Sequence, residues 1–115
     1  MLDSTITIDS LKERVRKFID KREWQKYHNP KDLAMSLSIE AAELLEIFQW
    51  KDKQEISEEI SELRSKIEEE LADIAIYLLS FCIALKIDLS QVLLEKVRRN
   101  EEKYPADLYK GRATI

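Results

Sequence analysis

The stretch Glu70–Leu85, ELADIAIYLLSFCIAL, decides the fold because it predicts a helix with very little polar surface. From Ile74 onward only Tyr77 and Ser80 interrupt the apolar residues. A helix that is apolar on all sides has to be buried on all sides. The run is too short to cross a bilayer. Because one small bundle rarely covers a helix completely, we expect subunits to pack against it.

The composition of the whole chain also favours helices. Its 115 residues include one glycine and two prolines, which leaves few residues that break a helix. We predict an all-α fold, a single domain over 1–115, with four to five helices. It would assemble through the apolar central helix as a homodimer or as a homotetramer built from dimers. The net charge of -4 gives no reason to expect nucleic acid as a partner, and no membrane partner is predicted.

Cap residues predict where the helices begin. Ser10 and Glu13 resemble a capping box for the first helix, after a flexible arm over 1–8. Asn29 and Pro30 start the second helix, which runs to about Gln49. Residues 50–57 are predicted to be a linker. A third helix follows over 57–86, and the pattern is compatible with a break within it. Asp88 caps a fourth helix that ends at 104–105, and 106–115 form a tail. The expected core positions of the first two helices are Leu11, Val15, Phe18, Ile19, Leu33, Leu37, Ala41, Leu44 and Phe48.

Two pairs of acidic residues are the strongest functional signal. Glu40 with Glu43, and Glu70 with Asp73, each put two carboxylates on one helix face within apolar sequence. Such spacing also arises by chance on solvated helix faces, as it does around Glu59, but there the neighbours are Ser, Lys and Arg. Core-facing carboxylates repel one another unless a cation lies between them. Oxygen ligands suit Mg²⁺, with Mn²⁺ as a possible substitute.

The acidic pairs and several accessory motifs resemble one known family. Glu-x-x-Glu, twenty-six intervening residues and Glu-x-x-Asp are similar to the MazG-like all-α nucleoside triphosphate pyrophosphohydrolases. The similarity extends over about residues 10–108 and is greatest to the dCTP pyrophosphatase-like branch. The accessory motifs are EWQKYH at 23–28, Pro30, Leu33, FQWK at 48–51, IYL at 76–78, Lys96, Asn100 and KYP at 103–105.

The resemblance implies a specific reaction and a specific set of residues. Family members hydrolyse the α–β phosphoanhydride of a nucleoside triphosphate, here dCTP or a related pyrimidine deoxynucleotide, to the monophosphate and pyrophosphate. The expected role is housekeeping of the nucleotide pool. The implied catalytic residues and magnesium ligands are Glu40, Glu43, Glu70 and Asp73. The implied substrate-binding residues are Trp24, His28, Trp50, Tyr77, Lys96, Asn100 and Lys103.

Chemical reasoning agrees with this reaction. A metal ion neutralises the triphosphate and lowers the pKa of an attacking water molecule. A carboxylate can accept the proton, and the four acids, Glu46 and Glu69 are all candidates. Lys96 and Lys103 would stabilise negative charge on the leaving pyrophosphate. Val15 occupies the position where a related enzyme has a base-contacting histidine, so the preferred base stays open.

Several alternatives remain at the level of sequence. Trp24 and Trp50 lie near helix ends, where large rings also close a core. The same chemistry on phosphoribosyl-ATP is a second enzymatic reading, and a non-enzymatic oligomerisation or adaptor module is a third. A di-iron bundle is disfavoured because it requires Glu-x-x-His motifs. The single cysteine, Cys82, reads as a core residue, and without a recognisable signal peptide we expect the cytoplasm.

Overall fold

The computed structural model describes residues 1–113, which form helices and turns without a β-strand. This confirms the predicted all-α class. Within this part of the chain, no helix combines the length and the apolarity that crossing a membrane requires. The helices are α1 (Ile8–Lys21), α2 (Pro30–Phe48), α3 (Lys53–Leu85), α4 (Leu89–Lys103) and α5 (Ala106–Tyr109), with 3-10 turns at Leu2–Ser4 and Gln25–Tyr27.

Helices α2 and α3 form an antiparallel pair at the centre of the fold. Leu33 and Tyr77 line one cleft near the start of α2, whereas Ile47 and Lys66 line a cavity near its end. An early residue of α2 thus lies beside a late residue of α3, and a late residue of α2 lies beside an earlier residue of α3, so the two helices run in opposite directions. This register sets the two acidic pairs on neighbouring stretches of the groove between α2 and α3.

Side-chain caps fix the starts of α1, α2 and α4. Asn29 accepts a hydrogen bond from the backbone N–H of Asp32 at 2.9 Å, and Asp88 accepts one from Gln91 at 2.9 Å, both as predicted. The predicted start at Ser10 was wrong, because Thr7 accepts the backbone N–H of Ser10 at 3.1 Å and caps α1 instead. The predicted arm over 1–8 therefore overlaps α1 by one residue and includes a 3-10 turn.

Helix α3 begins earlier than the sequence pattern indicated. Asp52 accepts the backbone N–H of Glu55 at 2.8 Å, and Glu55 accepts the N–H of Asp52, which completes a capping box. The helix then continues unbroken to Leu85. Residues 53–57 are thus helical, and their prediction as part of a linker was wrong. The predicted tail contains the short helix α5, and its last two residues lie outside the described part of the chain.

The buried core is small for a chain of this length. Ile19, Leu33, Leu79 and Cys82 are its buried apolar residues, and Cys82 is the core residue that was predicted. Two predicted core positions were wrong, since Phe18 is 46% exposed and Ala41 is also exposed. The Phe18 ring instead lies 3.9 Å from the Arg22 guanidinium and meets the edge of Trp24 at a centroid distance of 5.7 Å.

Helix α4 is held mainly by its connection to the rest of the chain. None of its residues is buried, and most of its apolar side chains, such as Leu94, are exposed. Lys12 Nζ on α1 donates a 2.6 Å hydrogen bond to the carbonyl of Ile87 in the turn before α4. Lys86 ends α3 in the left-handed conformation with φ 55°. The turn is therefore well fixed, whereas the faces of α4 are left available for other contacts.

Candidate metal centre

Three of the four predicted acids meet between α2 and α3. Glu40 and Glu43 share one face of α2, and Glu70 approaches from α3, so that one carboxylate oxygen of each lies within 4.8 Å of the other two. Asp73 does not belong to this group of three oxygens. It lies on the same face of α3 as Glu70, and its charge still acts on Glu40. The structure thus brings together three acids with a fourth beside them.

Two of these acids have carboxylate oxygens that lack a partner. Glu70 is 3% exposed although its side chain ends in a carboxyl group, and Glu40 is half-buried. Oε2 of Glu40 and Oε2 of Glu70 are buried and receive no hydrogen bond from the described residues. Buried unpaired carboxylate oxygens destabilise a fold. The donor set suits a hard divalent cation, which would offset the negative charge of these carboxylates.

The electrostatics of the cluster appear in the pKa of Glu40. Desolvation, followed by the hydrogen bond with Glu43 and the charges of Glu43, Asp73 and Glu70, raises the pKa of Glu40 to about 7. A carboxyl group with such a pKa resists ionisation because burial, and then the negative charges around it, disfavour its charged form. A bound cation would reverse this effect by favouring the ionised form.

Lys66 is a member of the site that the sequence analysis did not identify. Its Nζ lies 3.0 Å from Oε1 of Glu70 and 3.5 Å from Oε2 of Glu69. The hydrogen bond to Glu70 is the main cause that raises the pKa of Lys66. Neither acidic motif contains a basic residue, but Lys66 lies one helical turn before Glu70. The spacing of four residues was the available signal.

An open cavity adjoins the acid cluster on the side of Lys66. It has a volume of about 460 Å³ and is lined by Glu43, Glu46, Ile47, Lys66 and Glu70. Glu46, one of the candidate proton acceptors, faces this cavity without belonging to the three-acid group. The cavity therefore offers both acidic groups and one ammonium group to a ligand.

A second cleft lies at the other end of the same groove. It has a volume of about 230 Å³, and its lining includes three predicted substrate-binding residues, Trp24, His28 and Tyr77. Ser36 also lines it, one turn before Glu40 on α2, and Tyr77 lies one turn after Asp73 on α3. Burial lowers the pKa of His28, which favours its neutral imidazole. An aromatic cleft and an acid cluster thus follow one another along the groove.

The other four predicted substrate-binding residues do not line either space. Trp50 follows the end of α2 and is 87% exposed. Lys96 and Lys103 on α4 are exposed and Asn100 is half-buried. Lys103 Nζ lies 5.3 Å from the centre of the Tyr104 ring. Within the described part of a single chain, three of the seven predicted substrate-binding residues therefore line one cleft, and the other four lie elsewhere.

Comparison with known proteins identifies the family. A model of the MazG-like family matches residues 35–114, which is more than half of the chain and contains all four acids. The chain belongs to the MazG-like family. This agrees with the resemblance carried by the acidic motifs.

Curated relatives of this MazG-like chain include dCTP pyrophosphatase 1 of Bos taurus, 34% identical over 109 residues, and dCTP pyrophosphatase 1 of Homo sapiens, 33% identical over 104 residues. The alignments cover 93% and 89% of this chain. They cover 64% and 61% of the relatives, so the chain spans less than two thirds of their length.

The fold of the MazG-like chain also matches a solved structure. The crystal structure of a pyrophosphatase from Archaeoglobus fulgidus superposes with a TM-score of 0.80 at 46% sequence identity. The match covers 84% of this chain and 91% of the archaeal chain. The arrangement of helices around the acid cluster is therefore that of a known protein fold.

Proposed function

We propose that this protein is a metal-dependent nucleoside triphosphate pyrophosphohydrolase. It would cleave the α–β phosphoanhydride and release a nucleoside monophosphate and pyrophosphate. The observation that carries the proposal is the cluster of Glu40, Glu43 and Glu70, in which two buried carboxylate oxygens have no partner among the described residues. MazG-like membership and the pyrophosphatase names of the relatives support the same reaction.

The proposed metal ion is Mg²⁺, with Mn²⁺ as a substitute. Glu40, Glu43 and Glu70 would hold it, and Asp73, whose charge acts on Glu40, is proposed as a further ligand. The ion would supply neutralisation of the triphosphate and a lowered pKa of the attacking water. All four acids are the residues that the family resemblance implies as catalytic.

The residues around the metal centre can account for the remaining chemistry. Hydrolysis forms one bond from water oxygen to phosphorus, breaks the bond to the bridging oxygen and passes a water proton to a base. Glu46 lines the cavity beside Glu43 and Glu70, and we propose it, among the candidate acids, as the acceptor of this proton. Lys66 faces the same cavity and adds positive charge near the phosphates.

The aromatic cleft supports a nucleotide as substrate. Trp24 and Tyr77 offer flat surfaces to a base, and His28, Asp32 and Ser36 offer polar atoms. Because the cleft lies one helical turn from the acid cluster, a base held there would direct its phosphates toward the metal. We propose dCTP or a related pyrimidine deoxynucleotide, following the names of the relatives.

We also propose that the protein acts as a homodimer or homotetramer. Ile76 and Leu85 on the apolar half of α3 are 41% and 46% exposed in the single chain, and Leu94 on α4 is 67% exposed. Assembly would bury this surface. Assembly would also bring residues of a second subunit to the groove. Trp50, Lys96, Asn100 and Lys103 of that subunit could then contact the nucleotide.

The proposal is tested by direct assay of the purified protein. Each of the eight common nucleoside triphosphates is incubated with Mg²⁺ or with chelator, and the products are separated by ion-exchange chromatography. We expect monophosphate and pyrophosphate only with metal, and the fastest substrate identifies the base. Glu43→Gln should abolish most of the turnover, whereas Glu62→Gln on the solvated face of α3 should retain it.

Other products would contradict specific parts of the proposal. Diphosphate with orthophosphate would exclude cleavage at the α–β bond. If phosphoribosyl-ATP, assayed in parallel, were hydrolysed and none of the eight triphosphates were, the chemistry would stand and the proposed substrate would be replaced. No turnover of any nucleotide would favour a non-enzymatic oligomerisation module, for which the exposed apolar side chains of α3 and α4 provide a surface.

A further inference from the structure

The two carboxylate oxygens of Glu70 have different surroundings, because Lys66 contacts only one of them. Its ammonium lies 3.0 Å from Oε1, while Oε2 is buried without a partner among the described residues. The side chain of Glu70 is 4% exposed and that of Lys66 is 58% exposed. Lys66 therefore reaches from the surface to a carboxylate whose other oxygen belongs to the buried interior of the site.

We propose that Lys66 is a positioning residue of the metal centre, which holds Glu70 so that its free oxygen faces Glu40 and Glu43. This inference rests on the proposed function, because it assumes that the three acids bind a divalent cation. Groups that hydrogen-bond to metal ligands orient them, and their loss commonly lowers metal affinity by about 10- to 100-fold. Lys66 would have this role toward Glu70.

The charge of Lys66 by itself has the opposite effect. A positive group near three carboxylates repels a second cation, so removal of the charge alone should strengthen metal binding. Removal of an orienting hydrogen bond should weaken metal binding. The direction of the change in metal affinity therefore distinguishes a positioning residue from a simple counter-ion.

The chain contains a matched control for this comparison. Arg64 and Glu68 form an ion pair at 2.9 Å with the same spacing on the same helix, and their side chains are 76% and 62% exposed. Arg64→Met removes one positive charge two residues from Lys66 without touching the acid cluster. Lys66→Met removes the same charge together with the hydrogen bond to Glu70.

The experiment is a calorimetric titration of metal-free protein with Mn²⁺, which needs no nucleotide and no turnover. We expect Lys66→Met to bind Mn²⁺ about 10- to 100-fold more weakly than wild type. Lys66→Arg, which keeps a donor, should restore part of the affinity. Arg64→Met should bind as wild type does or slightly more tightly. Circular dichroism at the titration temperature confirms that each variant is folded.

Two different failures can be told apart. If Lys66→Met binds Mn²⁺ as tightly as wild type or more tightly, Lys66 is not a positioning residue, although the metal site stands. If wild type itself does not bind Mn²⁺, the proposed metal centre is wrong. Should Lys66→Met prove unfolded, Lys66→Ala, which also removes the donor to Glu70, replaces it, and wild-type affinity in that variant would likewise overturn the inference.

Discussion

At the scale of single residues, the acid cluster combines charge repulsion with burial. Glu40 and Glu70 each keep one buried oxygen without a partner, and Lys66 offsets the charge of Glu70 only from the outer side. In a metal-free protein Glu40 opposes folding more strongly as it ionises, because its pKa is raised by burial and by the acids around it. The cluster should therefore make stability depend on both pH and metal.

Glu40→Gln tests this dependence. The pKa of Glu40 is raised from 4.5 to about 7, so between these values the folded protein holds a proton that the unfolded chain has released. Stability from this group is thus lost as the pH rises through that window. In chelator at pH 8 we expect Glu40→Gln to have a higher Tm than wild type, and the difference should shrink as the pH falls toward 4.5.

Thermal unfolding followed by circular dichroism between pH 4.5 and 8 measures the effect. Glu101→Gln, an exposed acid on α4, serves as the control and should show a smaller change with pH. Saturating Mg²⁺ should stabilise wild type more than Glu40→Gln. If the Tm of wild type and that of Glu40→Gln changed with pH in parallel in chelator, Glu40 would not be the cause of the loss of stability.

At the scale of the helices, the start of α3 shows how one cap determines an element. Asp52 and Glu55 exchange hydrogen bonds across the first turn, although the polar sequence there reads as a linker. The helix then carries Lys66, Glu70, Asp73 and Tyr77 in one continuous register. Its continuity places the aromatic cleft and the acid cluster on the same groove.

Asp52→Ala should destabilise the protein because it removes the acceptor of the capping box. We expect a decrease in Tm of roughly 5 °C. Ser57→Ala is the matched variant, since Ser57 is the start that the sequence pattern favours but lies inside the observed helix. It should be neutral or slightly stabilising because alanine favours helix interiors. A larger decrease in Tm from Ser57→Ala than from Asp52→Ala would instead indicate that the helix is capped at Ser57.

At the scale of the whole molecule, the single chain leaves much apolar surface uncovered. The exposed residues of the apolar half of α3 and of α4 form the surface that the proposed assembly would bury. The small buried core of the monomer agrees with this, since larger burial would come from association.

Ile76→Glu should shift the protein toward monomer, because it puts a charge on the surface that we expect to be buried. Ile60→Glu provides the control, since Ile60 lies on the charged half of the same helix and is 43% exposed, close to the 41% of Ile76. Sedimentation velocity of wild type should give a dimer or tetramer of the 13.6 kDa chain. A monomeric wild type, or an equal response of both variants, would contradict assembly through this half of α3.

The sequence by itself determined the features that depend on neighbouring residues. The helical class, the caps at Asn29 and Asp88, and the shared face of each acidic pair all follow from local hydrogen bonds and the helical period. The burial of Cys82 and Leu33 followed from apolar patterning. The motifs and their order along the chain also indicated the MazG-like family.

Tertiary structure decided what depends on how helices rotate and slide against one another. The period places Glu70 and Asp73 on one face of α3, but packing decided that Glu70 joins the three-oxygen group and that Asp73 stays beside it. Packing also turned Phe18 outward and set Lys66 against Glu70. The sequence pattern of a helix predicts only roughly on which side of the helix axis a side chain lies. The meeting of particular oxygen atoms depends on axial offset and rotamer, which only the packed chain fixes.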